Sequence, residues 1–440
     1  MENSSHTVPK GIVLAGSASG VGKTVATLAV IRRLQNDGYE VQPAKAGPDF
    51  IDPSHHAVVA GKASRTLDIW MQGEQGLLAN YAHGTGDICV IEGVMGLYDG
   101  SETSTATIAE VLDLPVILVV DGSARMESVG AEALGYREYA RQQGIDIEVI
   151  GIIAQQVHGG RHENGIRDAL PDGISYFGRI PTLEGLDIPE RHLGLHMGDE
   201  AGLSDEILEE AAEQLFLDRI IDVARTPRSV VPASNDGQTT KRVALAHDAA
   251  FRFVYPAVRE RLQERATVIE FSPTAGEDVP PCDGLYLPGG YPELHAEALA
   301  KSKAVETIAE LASEGLPILG ECGGMMVLAE SMRTVDGSTY PMAGILPANI
   351  RMHEQFQALD HVKLRATDKT LTAAFGETHV GHEFHYSRAT ADTDAQFAFE
   401  MLRGTGFDET VDGLQEYRTL GTYCHLHAAS GAYDTFVERL

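Results

Sequence analysis

The sequence predicts an α/β protein built from two α/β domains. The chain has 440 residues, more than one ordinary core accommodates. Its N-terminal half alternates short apolar runs with amphipathic helical stretches, the pattern of a mainly parallel sheet. Between the halves, RTPRSVVPASNDGQTT is rich in Pro, Ser, Asn and Thr and has no sustained periodicity. It reads as a linker. The expected organisation is therefore a first domain at 1–225, a linker at 226–240 and a second domain at 241–440.

In the first domain, strands are expected at Gly11–Ala15, Ile88–Ile91, Val116–Val120 and Val149–Ala154. A helix should run from about Lys23 to Asn36 and stop near Gly38. After the linker, strand-like runs fall at Val243–Ala246, Gly284–Leu287, Pro317–Leu319 and Gly421–His425.

Composition narrows the class. Hydrophobic residues make up 43% and glycines number 46, which suits a loop-rich enzyme and not a disordered or fibrous chain. No apolar run is long enough to span a bilayer, and MENSSHTVPK lacks the apolar core of a signal peptide. A soluble, cytoplasmic protein is expected. Cys89, Cys282, Cys322 and Cys424 form no CxxC pair, so neither a disulfide framework nor a zinc site is expected. The formal net charge of −30 argues against nucleic acid or anionic membranes as partners.

GIVLAGSASGVGKT ends a buried strand and opens a helix. Glycines there let backbone N–H groups approach phosphate oxygens, and the helix N-terminus favours negative charge. Gly16, Ser17, Gly20, Gly22, Lys23 and Thr24 are the candidate ATP-binding residues. Lys23 would reach the β- and γ-phosphates, and the Thr24 hydroxyl would ligate magnesium. The usual P-loop spacing wants Gly at position 17, where this chain has Ser17, with Gly16 one residue earlier. Two further stretches supply carboxylates. KAGPDFIDPSHH carries Asp49 and Asp52, and CVIEGVMGLYDG places Glu92 right after a buried strand. A carboxylate at a strand end beside a P-loop is where magnesium needs a hard oxygen ligand. The competing reading is turn and cap chemistry, since Asp49 and Asp52 sit beside proline and Asp99 sits in a loop. His55 and His56 either touch substrate or line a loop.

In the second half, GECGG sets Cys322 on a sharp turn after an apolar run. A nucleophile needs such a turn so that its sulfur projects clear of the sheet, whereas a core cysteine does not. Gly289 and Gly290, in GLYLPGGYPEL, also follow a strand. The N–H groups of Gly290 and Gly323 would together form an oxyanion hole. LGTYCHLH places His425 at a strand end, which gives a Cys–His pair for acyl transfer. Cys424 reads as packing. GHEFHYS fails the zinc signature, because His382 and His385 are three apart where H-E-x-x-H needs four.

KAGPDFIDPSHH, VIEGVMGLYDG, IPERHLGL, LYLPGGYPEL, GECGGMM and GHEFHYS, in this order, resemble the cobyrinate and cobyrate amidase-ligases of corrinoid biosynthesis. Among these, the cobyrinic acid a,c-diamide synthases are the best match. The resemblance covers nearly the whole chain. It implies an N-terminal P-loop domain like dethiobiotin synthetase, a branch that also shifts the first glycine. It implies a C-terminal class I, triad-type glutamine amidotransferase domain of flavodoxin-like fold. Carried over by position, Lys23 and Thr24 bind ATP and magnesium, and Asp49, Asp52 and Glu92 serve the ATP–metal site and carboxylate activation. Cys322 is the glutaminase nucleophile and His425 its base. The implied substrates are cobyrinic acid, L-glutamine and ATP, and Arg191 in IPERHLGL is a candidate for the polycarboxylate. The chain departs from the family at Gln155-Gln156-Val157, where an Asn-Arg-Val run is common. It departs from the class I triad at His427, where a glutamate usually stands two residues after the base.

Two rivals follow from the same residues. One is the same amidation on another tetrapyrrole, such as hydrogenobyrinate or nickel-sirohydrochlorin. The other is a partitioning-type nucleotide switch, which shares the deviant P-loop but has no use for Cys322, the PGGYPEL turn or His425.

The charge surplus carries a prediction. Like charges spread over one surface repel one another, and salt screens them. Urea-denaturation midpoints should therefore rise as KCl is raised from low to molar concentration. The acidic surplus reads as adaptation to a salt-rich cytoplasm, and unchanged stability over that range would overturn that reading.

Overall fold

The computed structural model describes residues 8–100, 102–191, 194–228 and 240–440, those at 190, 191, 194 and 195 through their backbone only. Most of the expected linker lies outside the described residues. The chain divides into two compact units, 1–233 and 234–440.

The first unit is wound on strands β1 (Lys10–Gly16), β2 (Val41–Ala46), β3 (Arg65–Leu67), β4 (Ile88–Gly96), β5 (Val116–Asp121), β6 (Val149–Gln155) and β7 (Ser175–Ile180). They form one seven-stranded sheet in the order β3-β2-β4-β1-β5-β6-β7. Every pairing in it is parallel. Parallel sheets are covered on both faces, and these strands read as near-continuous buried runs for that reason. Apolar clusters lie on each side, one around Val13, Ile91 and Leu118, the other around Ile12, Leu28 and Val90. The order reverses around β1, and ligands of such sheets bind beyond the C-terminal ends of strands at that point.

Helix α1 (Lys23–Asn36) matches the expected range. It buries Ala26, Leu28, Ala29, Val30, Ile31 and Leu34, and the chain leaves it through Gly38 at φ 87°. Gly22 at its N-cap is left-handed and offers no side-chain cap, so the first N–H groups stay open to an anion. Strand β4 runs on five residues past the expected Ile91, to Gly96. Glu92 had marked the end, yet it is fully buried and paired, so the strand continues through it. Helix α2 (Ile51–Ala60) follows the Asp49 turn. Short strands β8 (Glu190–Arg191) and β9 (Gly194–Leu195) close a hairpin.

The second unit begins with β10 (Arg242–Ala246), β11 (Thr267–Phe271), β12 (Gly284–Leu287) and β13 (Ile318–Glu321). Then follow β14 (Ala329–Arg333), β15 (Thr339–Pro341), β16 (Leu346–Met352), β17 (Ala358–Ala366), β18 (Thr378–His385) and β19 (Ser387–Ala391). The last four are β20 (Gln396–Arg403), β21 (Val411–Glu416), β22 (Thr419–Thr422) and β23 (His425–Leu426). The main sheet has ten strands in the order β11-β10-β12-β13-β22-β21-β20-β17-β18-β23. It is parallel from β11 to β22 and antiparallel from β22 to β23. A second sheet orders β15-β14-β16-β19.

Strands β2, β3, β7 and β11 were not expected from the sequence, and two further features of the second unit depart from expectation. The antiparallel strands between β13 and β22 were not foreseen, because their half-buried alternation lacks the long apolar runs of the parallel half. The expected strand Gly421–His425 is broken into β22 and β23. The N–H groups of Tyr423 and Cys424 donate to the buried Asp412 carboxylate, at 3.0 and 3.2 Å, and not to a neighbouring strand. The chain therefore leaves the parallel half and enters the sheet again beside β18, carrying His425 with it.

The helix Gly323–Leu328 packs so closely on β12 that a Cβ at Gly324 would sit 1.9 Å from the Leu287 carbonyl oxygen. Backbone cannot yield as a side chain can. Gly324→Ala should cost about 1–3 kcal/mol or more, the range of overpacking. A urea midpoint within error of wild type would contradict this packing.

Candidate active sites

At the C-terminal edge of the first sheet, the loop after β1 curls back on itself. A Cβ at Gly16 would meet the Ala18 carbonyl at 2.7 Å and Lys23 Cδ at 2.8 Å, so glycine alone fits there. Lys23 donates to the Ala18 carbonyl at 3.2 Å. Gly20 and Gly22 adopt φ 78° and 84°, a region that suits glycine. The Ser17 carbonyl accepts from the Tyr136 hydroxyl. From β6, Gln155 Nε2 donates to the Gly22 carbonyl at 2.6 Å and braces the loop where it joins α1.

Behind this loop a polar cluster is closed from four elements. Thr24, in the first turn of α1, places its hydroxyl 2.9 Å from Glu92 Oε1 and 3.3 Å from Asp52 Oδ1. Lys45, near the end of β2, donates to Asp52 Oδ2 at 2.5 Å and to Glu92 Oε1 at 2.8 Å. His56 Nε2 lies 2.6 Å from Glu92 Oε2, and its Nδ1 lies 3.0 Å from the Ser64 hydroxyl. Asp49 is set further out. One of its oxygens accepts from Ile51 N–H at 2.8 Å, and the other is 3.8 Å from Lys45. Asp49 therefore serves the turn into α2 as well as the cluster. His55 Nε2 lies 2.9 Å from the His196 carbonyl oxygen. Asp99 accepts from Gly96 N–H at 3.0 Å and holds its own loop.

The charges explain one another. Burial alone would lower the Lys45 ammonium, but Asp52 and Glu92 outweigh it and hold it above the ordinary lysine range. Burial would raise Asp52, yet Lys45 holds it well below the usual carboxylate range. Asp49 is pushed up by burial and by the Asp52 charge. Lys23 is lowered by burial, with the Lys45 ammonium adding. Among the described residues no three His, Cys, Asp or Glu side chains form a ready metal cage. The donor set is nonetheless hard oxygen from Thr24, Asp52 and Glu92, which suits magnesium bound mainly through phosphates. Lys45 was absent from the candidates read from sequence, although KAGPDFIDP contains it. Arg191 lies in β8, and its side chain is outside the described residues.

In the second unit, Cys322 terminates β13 and caps the next helix at φ 47°, ψ −104°. Few non-glycine residues adopt that backbone, and such strain gathers at functional sites. Its N–H donates to the Thr422 carbonyl at 2.6 Å, which helps to hold it. A Cβ at Gly323 would lie 3.0 Å from the Gly290 nitrogen, so the two expected oxyanion residues do adjoin. A Cβ at Gly289 would lie 2.3 Å from His425 Cε1, so the imidazole lies against this glycine.

His425 pairs across the sheet with His382, and their rings stack at 5.0 Å between centroids and 18° between planes. Tyr255 Oη is 3.0 Å from His382 Nδ1. His385 stacks on Tyr423 at 3.9 Å. The histidines of GHEFHYS thus surround the His425 segment. Their spacing as a metal motif had hidden this, because strand alternation places residues 382 and 425 together only through the fold. Burial pushes the Cys322 thiol up, with the Glu293 charge adding and the Gly323 N–H opposing. Burial pushes His425 down to about 3, with His385 adding. Both groups therefore rest neutral.

Comparison with known proteins adds the family. Residues 12–195 match the CobQ/CobB/MinD/ParA nucleotide binding domain, and residues 242–433 match the CobB/CobQ-like glutamine amidotransferase domain. A cobyrinate a,c-diamide synthase of Halobacterium salinarum is 59% identical over 442 residues, covering 100% of both chains. The chain belongs to the cobyrinate a,c-diamide synthase family. It is thus an amide-forming ligase with a glutamine amidotransferase domain. The cobyrinate a,c-diamide synthase of Haloarcula marismortui is 58% identical, covering 97% of this chain and 98% of its own. A hydrogenobyrinate a,c-diamide synthase from a Sinorhizobium species is 36% identical, covering 96% and 99%. No described helix is long and apolar enough to cross a membrane.

Lys45 should be indispensable to the folded state of this family member. Removing it leaves Asp52 and Glu92 buried without their cation, and breaking a buried pair costs roughly 3–5 kcal/mol. Lys45→Met should show such a loss by urea denaturation near pH 7. Asp52 is depressed when folded, so the stability it draws from Lys45 is present above the ordinary pKa of 3.8 and fades as pH falls below it. The gap between variant and wild type should narrow on acidification. A gap that widens would contradict the pairing.

Proposed function

We propose that this protein amidates the a- and c-carboxylates of cobyrinic acid, using ATP and glutamine. The observation that carries the reading is the pairing, in one family member, of a phosphate loop backed by Thr24, Asp52 and Glu92 with a strained Cys322 turn beside Gly290 and Gly323. The substrate follows the relatives of 59% and 58% identity, both named for cobyrinate. The relative named for hydrogenobyrinate, at 36%, keeps the metal-free macrocycle as the second reading. A nucleotide switch would have no use for a glutamine amidotransferase domain.

A carboxylate resists ammonia because its charge repels nucleophiles and oxide is a poor leaving group. Transfer of the ATP γ-phosphoryl group makes an acyl phosphate, whose phosphate leaves readily. This step needs positioning and charge neutralisation more than covalent help. The loop from Gly16 to Gly22 would hold the phosphates through backbone N–H groups, and Lys23 would reach the transferred group. Magnesium, when bound, would neutralise phosphate charge, held by Thr24 with Asp52 and Glu92, and Asp49 nearby. Lys45 would keep Asp52 ionised and hold both Asp52 and Glu92 in place. Arg191 is the candidate for the other substrate carboxylates.

Ammonia comes from glutamine in the second unit. Cys322 attacks the side-chain amide while His425 takes the thiol proton and passes it to the departing ammonia. The N–H groups of Gly290 and Gly323 would receive the oxyanion. Water then cleaves the thioester to glutamate. The thiol and imidazole both rest neutral, so the nucleophile forms by proton transfer during attack.

The test compares ADP formation with cobyrinic acid in wild type and Cys322→Ala, with glutamine or ammonium as nitrogen donor. The variant should lose glutamine use and keep ammonium-supported diamide formation. Normal glutamine use by the variant would make Cys322 structural and sink the glutaminase assignment.

A further inference from the structure

Glu321 precedes the nucleophile and is only 2% exposed, yet the chemistry above gives it no task. Its carboxylate is fully engaged. The Tyr286 hydroxyl of β12 donates to Oε2 at 2.8 Å, and the Tyr433 hydroxyl donates to Oε1 at 2.8 Å. The two phenol oxygens are 3.3 Å apart. Tyr433 Oη is also 3.2 Å from the carbonyl of Leu426, and the Leu426 N–H faces the Glu321 carboxylate. Leu426 follows His425 directly. One buried carboxylate thus joins the residue before the nucleophile to the residue after the base.

We propose that Glu321 is the positioning residue of the Cys322–His425 pair. It ties the end of β13, which carries the thiol, to β23, which carries the imidazole, with Tyr286 and Tyr433 holding the clamp. The inference rests on the reading of Cys322 and His425 as nucleophile and base. Burying a carboxylate is costly unless hydrogen bonds satisfy it, so simple filling of this space would favour an apolar side chain. The place where a class I triad carries its glutamate holds His427, whose Nδ1 accepts from Ala429 N–H at 3.2 Å within its own turn. Asp412 and the pairing with β18 hold the segment beyond the break, but neither links it to the end of β13 that carries Cys322. No ladder hydrogen bond runs directly from β13 to His425, since the pairing of β13 with β22 ends at Glu321 and Thr422.

The test uses the full chain. Glutaminase kcat and KM, ammonium-supported ADP formation with cobyrinic acid, and Tm are measured for wild type, Glu321→Ala, Glu321→Gln, Tyr433→Phe and Cys322→Ala. Misplacement of reacting groups by about 1 Å costs roughly a hundredfold in rate. Glu321→Ala should lose about that in glutaminase kcat, with KM for glutamine changed by less than about threefold. Its ammonium-supported activity should persist. Tyr433→Phe should lose part of kcat in the same pattern, and Glu321→Gln should recover most of it by restoring an acceptor in the same place. Glu321→Ala with wild-type kcat would overturn the proposal. So would a loss confined to KM, or, in the folded Glu321→Gln and Tyr433→Phe variants, an equal loss of ammonium-supported activity. Cys322→Ala separates the two levels. If it still uses glutamine, the underlying reading fails. If it does not, while the Glu321 and Tyr433 variants turn over glutamine normally, only the role of Glu321 falls.

Discussion

An ion stays charged in a dry interior only beside its opposite, and the first unit is arranged around that constraint at Lys45. Its ammonium comes from the end of β2, Asp52 from the first turn of α2 and Glu92 from β4. Thr24 of α1 joins the same two carboxylates. His56 and Ser64 extend the cluster behind Glu92. Four elements therefore meet at the sheet edge through polar contacts and not through apolar packing alone. That geometry keeps the hydroxyl and the carboxylates facing the phosphate loop without letting them collapse into the core. Without these partners, burial would lower the Lys45 ammonium and raise Asp52. Asp49, with a longer reach to the same cation, shows what happens to a carboxyl whose share of that cation is small: its pKa rises.

The second unit takes the opposite course. Burial pushes the Cys322 thiol up and the His425 imidazole down, so both rest neutral. A thiol raised and an imidazole lowered do not form a standing ion pair. The strained backbone at Cys322 is what aims the sulfur. It is held by the short bond to the Thr422 carbonyl and by the tight seating of Gly324 on β12. Asp412 sets the other half of the geometry by ending β22 early and turning the chain toward β18. Two buried carboxylates, Glu321 beside Cys322 and Asp412 before His425, thus anchor the segments that carry these two residues.

Local sequence carried the central parallel strands β1, β4, β5 and β6 of the first unit and β10, β12 and β13 of the second, while β2, β3, β7 and β11 nearer the sheet edges were missed. The run from Gly11 to Asn36 holds the buried strand, the glycine loop and the amphipathic helix in twenty-six neighbouring residues. Cys322 was legible for the same reason, since a thiol on a Gly-rich turn after a strand is a local pattern. Lys45 was not, because a lysine at the end of a buried strand declares nothing until its partners at 52 and 92 are folded around it. Glu321, Asp412 and His382 were hidden in the same way. Each acts on a residue distant in the chain, and a buried carboxylate or histidine has no periodic signature. His382 was even misdirected by its neighbour His385, whose spacing invited a test for metal and a rejection. The break after Thr422 illustrates the general limit: apolar continuity predicts a strand, but hydrogen bonds to one remote aspartate decide whether it continues.

Charge counting in the first site bears on what must accompany ATP. Lys45 pairs with Asp52 and Glu92, Asp49 lies further out with its pKa raised, and Lys23 donates to the Ala18 carbonyl within reach of the Asp52 and Glu92 charges. Lys45 is thus committed to two carboxylates, which leaves Lys23 as the one of these two ammonium groups open to phosphate. A triphosphate and a substrate carboxylate would add several negative charges to a place that begins with none to spare. In a chain of net charge −30 the surroundings offer little relief at long range. A divalent cation arriving with the nucleotide would supply the missing positive charge. The hydroxyl of Thr24 and the carboxylates of Asp52 and Glu92 that it touches are hard oxygen donors of the kind magnesium accepts. A lysine in place of the cation would bring one charge and no ordered ligand sphere. The acidic residues around the loop therefore make sense as part of a site completed by its substrate, and they would be a poor design for binding ATP alone.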